Sequence, residues 1–409
     1  MVVKKSHLLF LTCSLFMIVA QTACVKKQAS EIIIETNFDR GSLGPTRVIN
    51  DSLVKAQTIH WIKKDMVGNQ FYWFYFKISN VKGKKIRFEL NNMAGTYRGK
   101  PHRIMTGICK PVISYDNNNW DRIFDTHFDA ESKIFTFRHT FEEDQAWIAY
   151  AHPYPKSRGD DLIKELQSMN ADIEVIGQSN EGNNIHMLTF PPKAKYSSDK
   201  KVVLVMALQH ASEDCGGYFA EGMIEAIQES QNYSDKFIYK IIPMMNPDGL
   251  YFGVSRYNYN MEDLNSEWDD DLTDEKNLPV EPEVLAVKNW QKDWNEEGGK
   301  IDLWVDIHSH SQKAGDCAII FGDEQLHLLA EKINNYWPIR TNFRRPGSRS
   351  GGGGSTPDSS TDTMNTLKLT MELSQSHNGD GVFLNIDDYK LHGKYFVKTI
   401  DEFFSEKSR

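Results

Sequence analysis

Two stretches of this chain, Lys201–Ala207 (KVVLVMA) and 301–307 (IDLWVDI), are apolar almost without a break, and each runs directly towards a histidine: His210 after the first, His308 after the second. A strand with one wet face alternates polar and apolar residues. A strand without alternation is buried on both faces, the position of a central strand in a sheet covered by helices. The surroundings agree. Helical patterning is read at 160–169, 217–230, 283–294, 325–337 and 389–404, with further strands at 173–176, 185–190, Phe237–Ile242 and 367–373. Strands alternating with helices predict an α/β sheet domain over residues 154–409.

Before residue 154 the texture differs. Short aromatic runs at 71–79 (FYWFYFKIS), Lys85–Asn91 (KIRFELN), 134–139 (IFTFRH) and 147–150 are separated by turn signals such as Asp116-Asn117-Asn118-Asn119. Short strands at that spacing predict an all-β sandwich domain over residues 31–153. The 409 residues are 40% hydrophobic and 25% charged, which excludes a disordered or collagen-like chain. A net charge of −9 argues against a nucleic-acid partner, whose binder carries a basic face. The Gly/Ser/Thr-rich stretch 347–363 lies inside the α/β region and reads as a loop, not as an interdomain linker.

Residues 1–23 are set aside from the fold. Lys4 and Lys5 precede thirteen mostly apolar residues, Leu8 to Ala20, and then Ala23-Cys24. That layout reads as a signal peptide, with an apolar run too short to span a bilayer comfortably. It predicts an exported bacterial protein, either periplasmic or a membrane-anchored lipoprotein with its lipid on Cys24. Three cysteines would remain in the mature chain without Cys24, so no disulfide framework is expected.

Ligands gather at the carboxyl ends of strands in open α/β sheets. His210 and Glu213 follow one apolar strand and His308 closes another, which would give a His₂Glu zinc site. Such a site keeps a position for a water, whose pKa zinc brings to roughly 7. The H-x-x-E spacing is weak alone: His139-Thr140-Phe141-Glu142 matches it in the β region, where an ordinary strand and turn explain it. The joint set is stronger, because Glu372 closes a third apolar strand (LTMEL). A carboxylate there is costly to bury unless paired or functional. Beside an activated water it can accept a proton and pass it to a leaving amine.

Along nearly its whole length the chain resembles the zinc metallocarboxypeptidase (funnelin) family, in its cytosolic carboxypeptidase-like branch. The resemblance rests on Trp73-Phe74-Tyr75-Phe76, Ala149-Tyr150-Ala151-His152-Pro153-Tyr154, His210/Glu213 and Asn246-Pro247-Asp248-Gly249. It continues with Arg256, Asp263-Leu264-Asn265, Asp306-Ile307-His308-Ser309-His310 and Thr370-Met371-Glu372. It implies a mixed-sheet α/β carboxypeptidase domain preceded by the sandwich, and hydrolysis of a C-terminal peptide or isopeptide-like bond through a zinc-activated water. One Zn²⁺ per chain would sit on His210, Glu213 and His308. Glu372 would be the general base and acid, Arg256 the oxyanion partner, and Asn265, Ser266, the backbone near Ser309, and His310 the substrate contacts. A peptide or protein C-terminus would be the partner.

Two departures stand out. The family's D-L-N-R reads Asp263-Leu264-Asn265-Ser266 here, so the arginine that forks onto a terminal carboxylate is missing. Arg344, Arg345 and Arg349, around the start of the 347–363 loop, are candidates to supply that cation. The loop also lacks the tyrosine of pancreatic-type members. Ser266 keeps a second reading open, a zinc amidase or endopeptidase with no need of a free carboxylate. A catalytically silent peptide-binding lipoprotein would be indicated by a lost ligand or base, and none is lost. Asp269-Asp270-Asp271 reads as a solvated turn, and the sandwich as a folding partner or a wall of the substrate cleft.

Overall fold

In the computed structural model, Lys201–Ala207 lies near the middle of an eight-stranded sheet. The strand order is Asp172–Gln178, Asn184–Phe190, Phe237–Ile242, Lys201–Ala207, Leu303–His310, Leu367–Ser374, Cys317–Gly322, Arg340–Arg344. The four central strands from Phe237–Ile242 to Leu367–Ser374 are mutually parallel, and the strand next to them on each side runs antiparallel. The structure describes residues 31–59, 68–69, 71–91, 93, 95–97, 100–102, 109–268, 280–310, 317–322, 324–336, 340–344, 366–378 and 381–407. The leader and Cys24, the acidic run 269–271, the 347–363 loop, Arg345 and Arg349 lie outside them, as does the side chain of Arg344.

The absence of alternation in Lys201–Ala207 has its cause in two cores. Val203, Val205 and Ala207 pack on one face of the sheet with Ile163, Phe219, Met223, Phe396 and Ile400. Val202, Leu204 and Met206 pack on the other with Trp268, Val284, Val287, Trp290 and Trp304. The first face carries the helices Lys156–Ser168, Cys215–Glu229, His327–Tyr336 and Ile386–Lys407; the second carries Pro282–Glu296. Cys215–Glu229 and Ile386–Lys407 approach closely at paired glycines. A Cβ on Gly222 would run into the carbonyl of Lys390, and one on Gly393 into that of Phe219. None of the described helices is long and apolar enough to cross a membrane.

Two strands escape the sequence pattern, Cys317–Gly322 and Arg340–Arg344. The second (RTNFR) is a short polar edge, as edge strands tend to be, with no period to detect. Together they widen the sheet beyond the active strands.

The N-terminal all-β domain is a sandwich of two five-stranded sheets. One runs Ile33–Glu35, Tyr75–Ser79, Gln145–Ala149, Val112–Ser114, Asp121–Arg122; the other runs Thr126–Asp129, Ile134–Thr140, Lys85–Asn91, Leu53–Gln57, Thr46–Asn50. Aromatic rings fill the space between, with Phe88 stacked on Phe137 at 4.6 Å and Phe137 on Phe74 at 6.1 Å. The Asp116 cluster is a turn, its carboxylate taking the amides of Asn118 and Asn119 at 2.8 and 2.7 Å. The stray H-x-x-E is structural: His139 meets the Tyr115 hydroxyl at 3.0 Å, and the Glu142 amide donates to that hydroxyl.

Candidate metal centre

The chain leaves Lys201–Ala207 through Leu208, whose φ of 59° is uncommon for a residue with a side chain. Its neighbours hold that conformation: the Met245 and Asn246 amides donate to the carbonyls of Ala207 and Leu208. Local strain of this kind collects at functional sites. The turn that follows closes with the Glu213 amide on the His210 carbonyl, 3.2 Å, and places both side chains at the sheet's carboxyl edge.

His308 arrives from the neighbouring parallel strand. Its Nδ1 lies 3.0 Å from Nδ1 of His210 and 2.8 Å from Oε2 of Glu213, and His210 Nδ1 lies 2.9 Å from Oε1 of Glu213. Two imidazole nitrogens and a carboxylate thus converge on one point. Two ring nitrogens facing each other have at most one proton to share, so the donor set is satisfied best by a cation among the three. Among the described residues this is the one cluster of three or more His, Cys, Asp or Glu whose ligand atoms all lie within 4.8 Å of one another. All three side chains are buried.

Both histidines are oriented from behind by a carboxylate, the arrangement that fixes the tautomer of a metal-binding imidazole. Nε2 of His308 bonds Asp306 Oδ2 at 2.8 Å, and Nε2 of His210 meets Asp263 Oδ1 at 3.2 Å. Gln209 donates to Asp306 at 3.2 Å and accepts from the Trp268 indole at 2.6 Å. Sequence reading assigned no role to Asp263, Asp306 or Gln209. One signal was available: Asp306 and His308 are two apart on a strand and therefore share a face.

The electrostatics follow from this crowding. Burial opposes ionisation of Glu213, but the two imidazoles outweigh it and hold the carboxyl well below its usual range. Burial likewise opposes charging of His308, and the carboxylates of Asp306 and Glu213 overcome it, raising its pKa well above that of a free imidazole. Asp263 is half-buried, which opposes its ionisation, yet Arg256 and His210 hold its carboxyl well below the usual range.

Glu372 is the register partner of His308, so the two side chains leave the same face of the sheet. Burial, then the negative charge of Glu213, push its pKa up. Arg256 donates from Nε to Asp263 Oδ2 at 2.8 Å, with Nη1 3.4 Å from His210 Nδ1, so its guanidinium borders the ligand cluster. Asn265 is adjacent: its amide N–H meets Asp263 Oδ1 at 3.2 Å, and its own Oδ1 is buried with no partner among the described residues. That oxygen is an acceptor and would suit an N–H or O–H donor. Ser266 is exposed. His310 follows His308 on the same face, paired with Ser374. Ser309 points the other way, where its hydroxyl accepts from Gln375 at 2.6 Å. Its side chain is not brought to the site.

Asn246-Pro247-Asp248-Gly249 is a brace for these loops. Asn246 caps the helix Pro247–Tyr251 by accepting from Gly249, and donates to the carbonyls of Gln209 and Tyr257. It thereby ties the His210 turn to the Arg256 loop.

Residues 34–151 match the sequence model of the cytosolic carboxypeptidase N-terminal domain, and residues 160–338 that of zinc carboxypeptidase. The chain is 26% identical to human cytosolic carboxypeptidase 6 over 364 residues, spanning 81% of this chain and 69% of that protein. It is 26% identical to cytosolic carboxypeptidase 6 of Caenorhabditis elegans over 383 residues, 84% of this chain and 78% of that one. The crystal structure of a metallo-carboxypeptidase from Burkholderia cenocepacia shares the fold, with a TM-score of 0.76 at 22% identity, covering 92% of this chain and all of that one.

These relatives correct the expected location. Both of these cytosolic carboxypeptidases carry "cytosolic" in their names, and so does the domain matched at 34–151, against the reading of an exported, periplasmic or lipid-anchored protein. That reading rested on the order of charge, apolar run and Cys24 in residues 1–24, a pattern of composition with no geometry behind it, and it is withdrawn.

Proposed function

Because this chain belongs to the zinc carboxypeptidase family, in its cytosolic carboxypeptidase-like branch, and is a metallocarboxypeptidase by that membership, we propose that it hydrolyses the C-terminal peptide or isopeptide-like bond of a peptide or protein. The observation that carries this reading is the convergence of His210, Glu213 and His308 with Glu372 opposite in register. His210, Glu213 and His308 would hold one zinc per chain. Zinc, when bound there, polarises a carbonyl and makes a water acidic enough to attack near neutral pH.

The remaining work falls to protein groups. Glu372 takes the attacking water's proton and returns it to the departing amine, the two transfers a single positioned carboxylate can serve in turn. Arg256, fixed by Asp263, offers the guanidinium edge to the charge that develops on the carbonyl oxygen. Asn265 would turn its amide Nδ2–H, a donor, to the terminal carboxylate, and His310 lies beside Glu372 along the rim. Ser266 gives a shorter, neutral contact. The domain division at residue 153/154 belongs to this reading.

The exposed Ser266 favours a second reading, a zinc amidase or endopeptidase indifferent to a free terminus. One experiment separates them. Purified protein is incubated with a peptide library, product masses are read, and the run is repeated with a chelator. Loss of C-terminal residues that stops on chelation supports the proposal. Internal cleavage supports the second reading, and activity insensitive to chelator overturns both.

A further inference from the structure

Among the described residues the most deeply buried arginine belongs to the β domain, not to the α/β domain that bears the site. Arg40 has no exposed surface and lies over the Trp73 ring at 3.9 Å. Its guanidinium forks onto Asp214, Nε to Oδ1 at 3.2 Å and Nη2 to Oδ2 at 3.0 Å. The same Nη2 donates to the Ala211 carbonyl at 2.5 Å, and Nη1 to the Val254 carbonyl at 3.1 Å. Ala211 is next to His210, Asp214 is next to Glu213, and Val254 is two residues before Arg256. One planar group therefore bonds within two residues of two metal ligands and of the oxyanion arginine.

A second set of bonds closes the same turn from the side. The Ser212 amide donates to the Ser255 carbonyl at 2.7 Å, and Ser255 Oγ takes the amides of Tyr72 and Trp73 at 3.1 and 3.0 Å. The Tyr72 and Ser212 hydroxyls share a hydrogen bond at 2.7 Å. The turn that carries His210 and Glu213 is thus held from outside its own domain.

We propose that Arg40 is a positioning residue for the metal centre: the β domain sets the spacing of His210, Glu213 and Arg256 through this guanidinium. The proposal rests on the metal-centre reading above. A buried arginine–carboxylate pair is weak evidence for added stability, since desolvation consumes much of the attraction. Its value lies in geometry, because the fork fixes several acceptors in one plane.

The test measures zinc affinity by chelator competition and the visible spectrum of the cobalt-substituted protein, which reports ligand geometry without turnover. Two variants remove the fork. Arg40→Lys keeps a counter-ion for Asp214 but not the planar donors. Arg40→Met with Asp214→Leu replaces the pair by apolar volume and leaves no charge unpaired. Arg158→Ala is the control: it breaks the Arg158–Glu221 pair, at 2.7 Å, which touches neither loop. Both Arg40 variants should bind zinc at least about tenfold more weakly, the lower end for residues that orient metal ligands. Their cobalt spectra should shift, and the control should match wild type in both. Wild-type affinity and spectrum in either folded Arg40 variant would overturn the proposal. So would an equal loss in the control, or failure of both Arg40 variants to fold, which would make Arg40 a residue of the fold and not of the ligands. Absence of zinc binding by the wild type would instead overturn the metal-centre reading beneath it.

Discussion

Glu372 and His308 stand opposite each other on parallel strands, and the chemistry proposed for Glu372 depends on charge, not on size. Glu372→Gln should therefore keep the fold and the metal while turnover falls by at least about 100-fold, the scale of a positioned acid–base group. Zinc content beside steady-state rates checks this, and near-normal turnover would remove Glu372 from the mechanism. His210, Glu213, His308 and Glu372 were legible in the sequence because each follows or closes an apolar strand, where a polar side chain has no packing reason to be. Asp263 and Gln209 were not legible as orienting groups. Their partners lie 53 and 97 residues away, at His210 and Asp306, and only the folded chain brings them together. At Ser309 alternation along the strand turns the hydroxyl to the opposite face, which leaves only its backbone for the substrate contact that the resemblance implies.

At the scale of single elements, helix Pro282–Glu296 begins with a buried acid. Glu283 has no exposed surface, its Oε1 has no partner among the described residues, and burial raises its pKa from 4.5 to about 7. Asn258 donates to it at 3.3 Å, while Glu281 and Asp248 add negative charge nearby. The folded state therefore binds this proton more tightly than the unfolded chain, so stability is lost as pH rises from about 4.5 to about 7 and levels off above. The cost at high pH is on the order of 3 kcal/mol. Glu283→Gln should remove it, and thermal melts at pH values across that window should show the variant gaining on wild type as pH rises. A constant difference at all pH values would refute the assignment. The helix pair Cys215–Glu229 and Ile386–Lys407 gives a second expectation. Gly222→Ala adds a methyl where the Lys390 carbonyl already sits, and overpacking of this sort costs about 1–3 kcal/mol, more than the helix propensity gained. A lowered melting temperature should follow, and an unchanged one would mean the helices can part freely. Long periodic elements such as these were readable from sequence. Arg340–Arg344 was not, because an edge strand of five residues carries no period.

For the whole molecule the open question in the sequence was the missing arginine. A charge-assisted fork onto a carboxylate contributes roughly 1.5–3 kcal/mol, and a serine hydroxyl makes at most one weaker bond. With Ser266 in that position, preference for free C-termini over amides should fall by about one to two decades in kcat/KM, unless a cation such as Arg344, Arg345 or Arg349 replaces the fork. Matched acid and amide peptides on wild type and on the three alanine variants check this; strong acid preference surviving all three substitutions would point to a cation elsewhere. The passage from an all-β to an α/β domain was legible as a change of texture along the chain. The bonds that cross it were not, because a lone arginine at position 40 has no pattern around it.

Those crossing bonds also bear on how the chain is made. Translation delivers Arg40 first, and Asp214 follows 174 residues later. The ribosome thus releases an aromatic β domain whose arginine, Tyr72 hydroxyl and Tyr72/Trp73 amides still lack their partners. Water must serve those groups until the second half emerges, and partly built chains of this kind are exposed to aggregation. A nascent chain cut near residue 153 would keep that edge permanently wet. The first-made half is a mould that waits for its casting, and the metal turn takes its shape only when the two meet.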